Sequence, residues 1–216
     1  MDFFPITVSE MPIKPNGDIY TKVELFNYIR THINDFFDDL TFTPVVDVDF
    51  NIDESNLWLS NNPLGTIINI DITGNNGSVV CSDYNSSNGN WIFSTITTPW
   101  VNTHPVSGNR AFGFYTDING NMVIYTRGVD RLTDGTHRYS LVGVLAEILQ
   151  ENIGFAEADA KWTNFQNKVM TFITSGQASG DNGQAAVNIP VKNRPNWNKV
   201  KEVLMGTRPV SDLGCN

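Results

Sequence analysis

Cysteine is nearly absent from this chain of 216 residues. Cys81 and Cys215 are the only two, which rules out a disulfide scaffold and leaves two free thiols as the simpler reading. Histidine is equally scarce. His32, His104 and His137 lie far apart, none at i, i+4 from another, and no cysteine pair has ligand spacing, so a structural zinc site is not expected. Cations are also few. Lys and Arg number 14 against 23 Asp and Glu, a formal net charge of −9 with a pI near 4.6. A field of that sign repels phosphate backbones, so duplex nucleic acid is a poor partner. No run approaches the ~18 uncharged apolar residues of a membrane span. The N-terminal MDFFPITVSEMPIKPNGD has no basic segment followed by an apolar one, so no secretory leader is read. The expected location is the cytoplasm of the producing cell, with any export by a leaderless route.

Chemical signatures are missing too. Neither G-x-x-x-x-G-K-[ST] nor G-x-S-x-G occurs. Gly74 to Gly77 leads into a strand pattern, so no helix N-terminus waits there for a phosphate. NTPase, dinucleotide and nucleophile-elbow readings fall away, and no cofactor is expected. Asp47 to Glu54 looks like the front of a calcium loop. However, Ile52 stands where such a loop needs glycine and Trp58 where it needs a bidentate glutamate, so the carboxylates read as the solvated face of a strand.

What is present is apolar and aromatic. Hydrophobic residues make up 40 % of the chain, with 13 Phe, 5 Trp and 6 Tyr, enough for one sizeable core. After a proline-containing lead-in over 1–20, Thr21 and Glu24 fit a capping box. Val23, Phe26, Ile29, Ile33, Phe36 and Phe37 then predict an amphipathic helix over 22–38. From residue 44 the period becomes two. Val46, Val48 and Phe50 alternate with polar residues as a half-buried strand, and β runs follow at 57–60, 65–73, 77–84 and 90–97. Asn76-Gly77 and Asn88-Gly89 fall between runs, and Asn119-Gly120 turns a hairpin of 112–129. Past Gly135 the period is helical, with a break expected at Gly154 and a second stripe of Trp162, Phe165, Val169, Phe172 and Ile173. Asn196 caps a last short helix. Trp162 and Trp197 read as core, and Trp100, after Pro99, as the exposed aromatic. The pattern predicts an α+β fold: a meandering antiparallel sheet of five to seven strands, an N-terminal helix, and C-terminal helices on one face. The divisions are a single domain over 1–174, a loop or linker over 175–194, and a short helix and tail over 195–216.

The chemistry concentrates in 100–139. From Arg110 to Arg138 four arginines face Asp117, Asp130 and Asp134, a cationic window in an acidic chain. His104 to Arg110 is a loop carrying a titratable ring and a fixed cation, with Pro105 holding His104 extended. On the returning strand, Tyr125, Arg127, Val129 and Arg131 share parity and project from one face. Two arginines and a tyrosine on one face could hold a phosphate, carboxylate or sulfate. His104 could move a proton beside them. On this reading His104, Arg110 and Arg127 are catalytic candidates, with Tyr125, Arg131 and Asp130 as anion-binding or supporting residues. The alternative is an internal network in which the arginines pair with neighbouring aspartates, cover apolar surface with their stems, and His104 caps a turn. His137 reads as a residue at a helix start.

The segments THPVSGNRAFGF and IYTRGVDRLT within that window resemble C-terminal segments of bacterial Rhs/YD-repeat polymorphic-toxin-type proteins. No catalytic residue carries over from the resemblance. It implies a context, an effector or cargo-type domain of a toxin or injection system. Two functions stay open: acid–base catalysis on a small anionic or carbonyl-bearing substrate at an Arg/His cleft, and a non-catalytic binding or assembly module that docks on a protein partner.

Overall fold

A computed structural model describes residues 1–72, 75–101, 104, 106–132, 141–174, 187, 189 and 191–213, without the side chains of 72, 75, 132, 141–155 and 197. The fold is α+β. Seven strands form one antiparallel sheet: β1 (Asp2–Val8), β2 (Leu40–Pro44), β5 (Ile67–Ile72), β6 (Asn75–Asn85), β7 (Asn90–Ile96), β8 (Val106–Thr116) and β9 (Met122–Leu132). Their spatial order is β1-β9-β8-β7-β6-β5-β2. The five strands from β5 to β9 are a plain meander, and two strands from the first part of the chain close its ends. The helices are α1 (Lys22–Thr31), the short α2 (Ser55–Leu59), the long α3 (Leu141–Thr174) and α4 (Trp197–Leu204), with 3-10 turns at Ile33–Phe36 and Val210–Leu213, and β3 (Val46–Asp47) and β4 (Ile52–Asp53) form a small separate pair.

Strand parity decides which face is inside. Phe42, Ile68, Ile70, Val79, Cys81, Trp91, Phe93, Phe112, Phe114, Met122, Ile124, Phe4 and Ile6 lie on one face, all buried. Leu25, Phe26 and Ile29 of α1 and Phe165, Val169, Phe172 and Ile173 of α3 cover them. The rings interlock, with Trp91 stacked on Phe112 at 4.8 Å and Phe165 edge-on to Phe112 at 5.9 Å. Burying rings of this size supplies the main favourable term in folding. Cys81 belongs to this core as a free thiol, and burial pushes its pKa up to about 11.

Several expectations are corrected in detail. The capping box at Thr21 and Glu24 is complete, but α1 ends at Thr31 instead of continuing to 38, and Ile33–Phe36 is a 3-10 turn. The Thr31 hydroxyl donates back to the Asn27 and Tyr28 carbonyls, a contact that competes with helix propagation. Val23 lies outside the buried stripe. Residues 57–60 are helical and turn-like, not a strand. Gly77 lies within β6 and does not turn the chain. Gly154 does not break α3, which runs through it; a lone helix glycine costs about 1 kcal/mol, too little to stop a helix packed as this one is. Val46, Val48 and Phe50 are exposed and belong to a projecting tongue, not a half-buried strand. Trp100 is partly buried, and its indole N–H donates to Asp47.

Both sheet edges are blocked. On β2, the Asn34 side chain donates to the Phe42 carbonyl at 3.0 Å and accepts the Phe42 N–H at 2.7 Å, so one amide occupies a ladder position. On β1, Phe3 exchanges both backbone bonds with Asn193 at 2.8 and 2.9 Å, and Val8 bridges Val187. Pro5 shares the outward direction of Phe3, so its missing N–H costs no ladder bond. The Pro5 carbonyl accepts from Gln166 at 2.8 Å. Of the 175–194 stretch expected as a loop or linker, 175–186 lies outside the described residues, and Asn193 and Arg194 are fastened to the domain. No helix among the described residues is long and apolar enough to cross a membrane.

Candidate functional site on two faces of one hairpin

The β8–β9 hairpin pairs Arg110 with Gly128, Phe112 with Thr126 and Gly108 with Asp130. These positions share the inner face. Ala111 pairs with Arg127 and Gly113 with Tyr125 on the outer face. The six candidates therefore divide. Arg110 and Asp130 lie inside, with His104 above the same face. Tyr125, Arg127 and Arg131 lie outside, and the sheet separates the two groups.

The inner group is a charge network. The Arg110 guanidinium is buried, 2.9 Å from Asp2 and 3.2 Å from Asp130. It also donates to the Thr126 hydroxyl at 3.3 Å and lies 4.0 Å from the centre of the Trp162 ring. Gly128 makes room for it: a Cβ there would sit 2.3 Å from the Arg110 terminal nitrogen. Asp2 also accepts the Gly128 N–H at 3.0 Å and meets Arg194 at 3.2 Å. Asp159 takes Arg194 and, at 2.9 Å, Lys192. Three carboxylates thus face three cations, and Arg110 has no charge left over for an external anion. Burial raises the Asp130 pKa, with the Arg110 charge working against that rise. The Asp159 carboxyl is raised by burial and lowered further by its Arg194 and Lys192 hydrogen bonds, so the net shift is downward.

His104 is buried against β6. A Cβ on Gly77 would fall 2.2 Å from the His104 ring, so glycine at 77 is a packing requirement. His104 Nδ1 accepts the Val106 N–H at 3.2 Å, closing the turn into β8. Burial lowers its pKa, while that bond and the Asp130 charge act in the opposite direction. His137 lies outside the described residues.

The outer group differs in kind. Arg127 lies over the Tyr125 ring at 5.2 Å. Tyr125 contacts Phe3 and Tyr115 with ring centres at 5.7 and 6.1 Å, and its phenol lies over Gly113. Arg127, Val129 and Arg131 are exposed, and among the described residues neither arginine makes an ion pair. This face can present one guanidinium fork on an aromatic floor, Arg127, and a second, Arg131, further along the same strand.

Sequence reasoning missed Asp2, Asp159, Arg194 and Arg30. Nothing local marks the first three, which come from the two ends of the chain and from α3. Arg30 had a signal, since it stands four after Phe26 and three before Ile33 on the apolar stripe. It is 1 % exposed. Its guanidinium donates to the Trp58 and Ser60 carbonyls and to Asn27, and lies 5.1 Å from the Trp58 ring. It latches α2 to α1, and burial lowers its pKa.

Among the described residues no His, Cys, Asp and Glu cluster is placed to hold a metal. An open hollow of about 260 Å³ is lined by Asn76, Pro99, Trp100 and Val101. No family model matches the chain, and no curated protein matches it. Among solved structures, it is similar to the Zhui aromatase/cyclase from Streptomyces sp. R1128 at 9 % identity and a TM-score of 0.40, over 80 % of this chain and 96 % of that one.

Proposed function

We propose that this chain is a non-catalytic binding or assembly module that docks on a protein partner through the outer face of β8 and β9, with Tyr125, Arg127 and Arg131 receiving carboxylates. One observation carries this reading. Arg127 and Arg131 are exposed without an acidic partner among the described residues, while Arg110 is held by Asp2 and Asp130. The setting is the one implied by the 100–139 resemblance, an effector or cargo-type domain of a bacterial delivery system. The test is fluorescence anisotropy with a synthetic peptide of Asp, Glu and Phe. Binding is expected, and it should weaken at least about tenfold in Arg127→Glu with Arg131→Glu, a loss of roughly 1.4 kcal/mol. Unchanged binding in that variant, or none in the wild type, refutes the reading.

The second reading, acid–base catalysis, is favoured by the opposite shifts of His104 and Asp130, both driven by burial on the same inner face. It predicts toxicity on expression in the cytoplasm or periplasm of a sensitive bacterial host. Toxicity that His104→Ala abolishes in a still-folded chain would favour it over docking.

A further inference from the structure

Charge is segregated along this chain. Between Arg30 and Arg110 there is no lysine or arginine, while Asp35, Asp38, Asp39, Asp47, Asp49, Asp53, Glu54, Asp71 and Asp83 all fall in that interval. In the fold β2, β5, β6 and β7, which carry no cation of their own, make one side of the sheet and β8 and β9 the other, while Lys161 and Lys168 of α3 pair with Asp39 and Asp38.

The acidic side carries a built projection. Val46–Asp53 forms a tongue, with Val46 paired to Asp53 and Asp47 to Ile52. The Asp47 carboxylate organises its tip, accepting the Asp49 N–H at 3.0 Å, the Phe50 N–H at 3.2 Å and the Trp100 indole N–H. Asn51 takes a positive φ of 53°, a conformation asparagine tolerates better than most residues. The base is tied down, since Val45 N–H donates to Ile67 at 3.0 Å and Glu54 N–H to Val45 at 2.9 Å. This tongue holds Val48 at 86 % and Phe50 at 72 % exposure, flanked by Asp49 and Asp53, neither of which is in an ion pair among the described residues. A rigid turn with an outward phenylalanine has already met much of the ordering cost of binding, and aromatic anchors dominate interface energies.

The outer face of β8 and β9 has the complementary chemistry: Tyr115, Tyr125 and Arg127 together, then Val129, 62 % exposed, and Arg131 further along the strand. We infer that the occupant of this face is the tongue of a second copy of the chain. Val48 and Phe50 seat against Tyr115, Tyr125 and Val129, while Asp49 and Asp53 meet Arg127 and Arg131. The inference rests on the docking reading proposed above and names the partner. The contact joins two different surfaces, so it is head-to-tail and leaves one free tongue and one free face on every assembly that does not close into a ring. A patch of this extent falls at or below roughly 1,200 Å², so the association is weak and concentration-dependent. The whole-molecule charge of −9 does not forbid it at about 0.15 M salt, where the screening length is near 8 Å and contacts at the interface outlast long-range repulsion.

Sedimentation velocity over a concentration series tests this with two variants at exposed positions, each checked for folding by circular dichroism. Arg127→Glu with Arg131→Glu removes the face and keeps the tongue. Val48→Ser with Phe50→Ser removes the tongue and keeps the face. The wild type is expected to associate progressively and each variant alone to remain monomeric. An equimolar mixture of the two variants should form a 1:1 dimer and nothing larger, because only one productive contact remains. Association of the wild type that either variant leaves unchanged overturns the inference, as does a mixture that stays monomeric. If the wild type is monomeric while the acidic peptide still binds through Arg127 and Arg131, the second copy is not the occupant and the docking face stands. If the peptide also fails to bind, the face itself is refuted.

Discussion

His104 and Gly77 show how one side chain and one missing side chain define each other. The ring occupies space that a Cβ at 77 would need, at 2.2 Å. Gly77→Ala should cost about 1–3 kcal/mol, the usual cost of overpacking, measured by urea unfolding, and His104→Ala on top should return most of it. The same ring gives the protein an acid sensitivity. Burial lowers the His104 pKa below its ordinary 6.5, so the folded state binds the proton less readily than the unfolded chain. Its contribution to stability is present above about pH 6.5 and is lost as pH falls through the lowered folded value. The melting temperature should drop between pH 7.5 and 5, and His104→Gln should flatten that slope; an unchanged slope refutes the assignment. Asp130 acts with the opposite sense. Its raised pKa means its contribution is fully present only below the ordinary carboxylate value and declines as pH rises through the shifted one. Arg110→Ala should be the most damaging charge change in the inner network, about 3–5 kcal/mol, because it takes the ion-pair partner from Asp130 and leaves the buried Asp2 to Arg194 and the Gly128 N–H.

Among the elements, the edge strand β2 depends on a single amide. Asn34→Ala removes both bonds to Phe42 and exposes an unpaired strand edge, a template for pairing with other chains. Faster light-scattering growth on mild heating is the expected result, with little change in circular dichroism at low temperature. The sheet was legible in the sequence because two-residue alternation and Asn-Gly turns are local signals. Parity along β9 likewise grouped Tyr125, Arg127 and Arg131 correctly. The opposition of Arg110 to Arg127 was not legible, since it depends on the register of β8 against β9. Nor was the partner of Arg110, because Asp2 is 108 residues away and carries no local signature. The tongue was misread for a physical reason. Val46, Val48 and Phe50 do alternate, but the Asp47 carboxylate satisfies the following N–H groups itself, which favours a turn over a continuing ladder. The 57–60 run was misread because Trp58 is buried under Arg30 from a helical turn, and short apolar runs carry no clear period.

At the scale of the whole molecule, the chain's late residues complete its first strand. Asn193 pairs with Phe3, and Arg194 joins Asp2 to Asp159. Removing residues 187–216 should therefore lower the unfolding midpoint and expose the outer edge of β1, read by a thermal melt and by hydrogen exchange at Phe3. Arg194→Ala should give part of the same loss; a truncated chain with unaltered melting would contradict this account. The closure of the sheet by β1 also governs the timing of folding. Its neighbour β9 begins 114 positions after β1 ends, and its outer cover comes later still. During synthesis, Phe4, Ile6 and Val8 must wait unsheltered until β9 has been made. Contacts of such sequence separation form slowly, and exposed apolar strands are prone to aggregate, so recovery from denaturant should depend strongly on protein concentration.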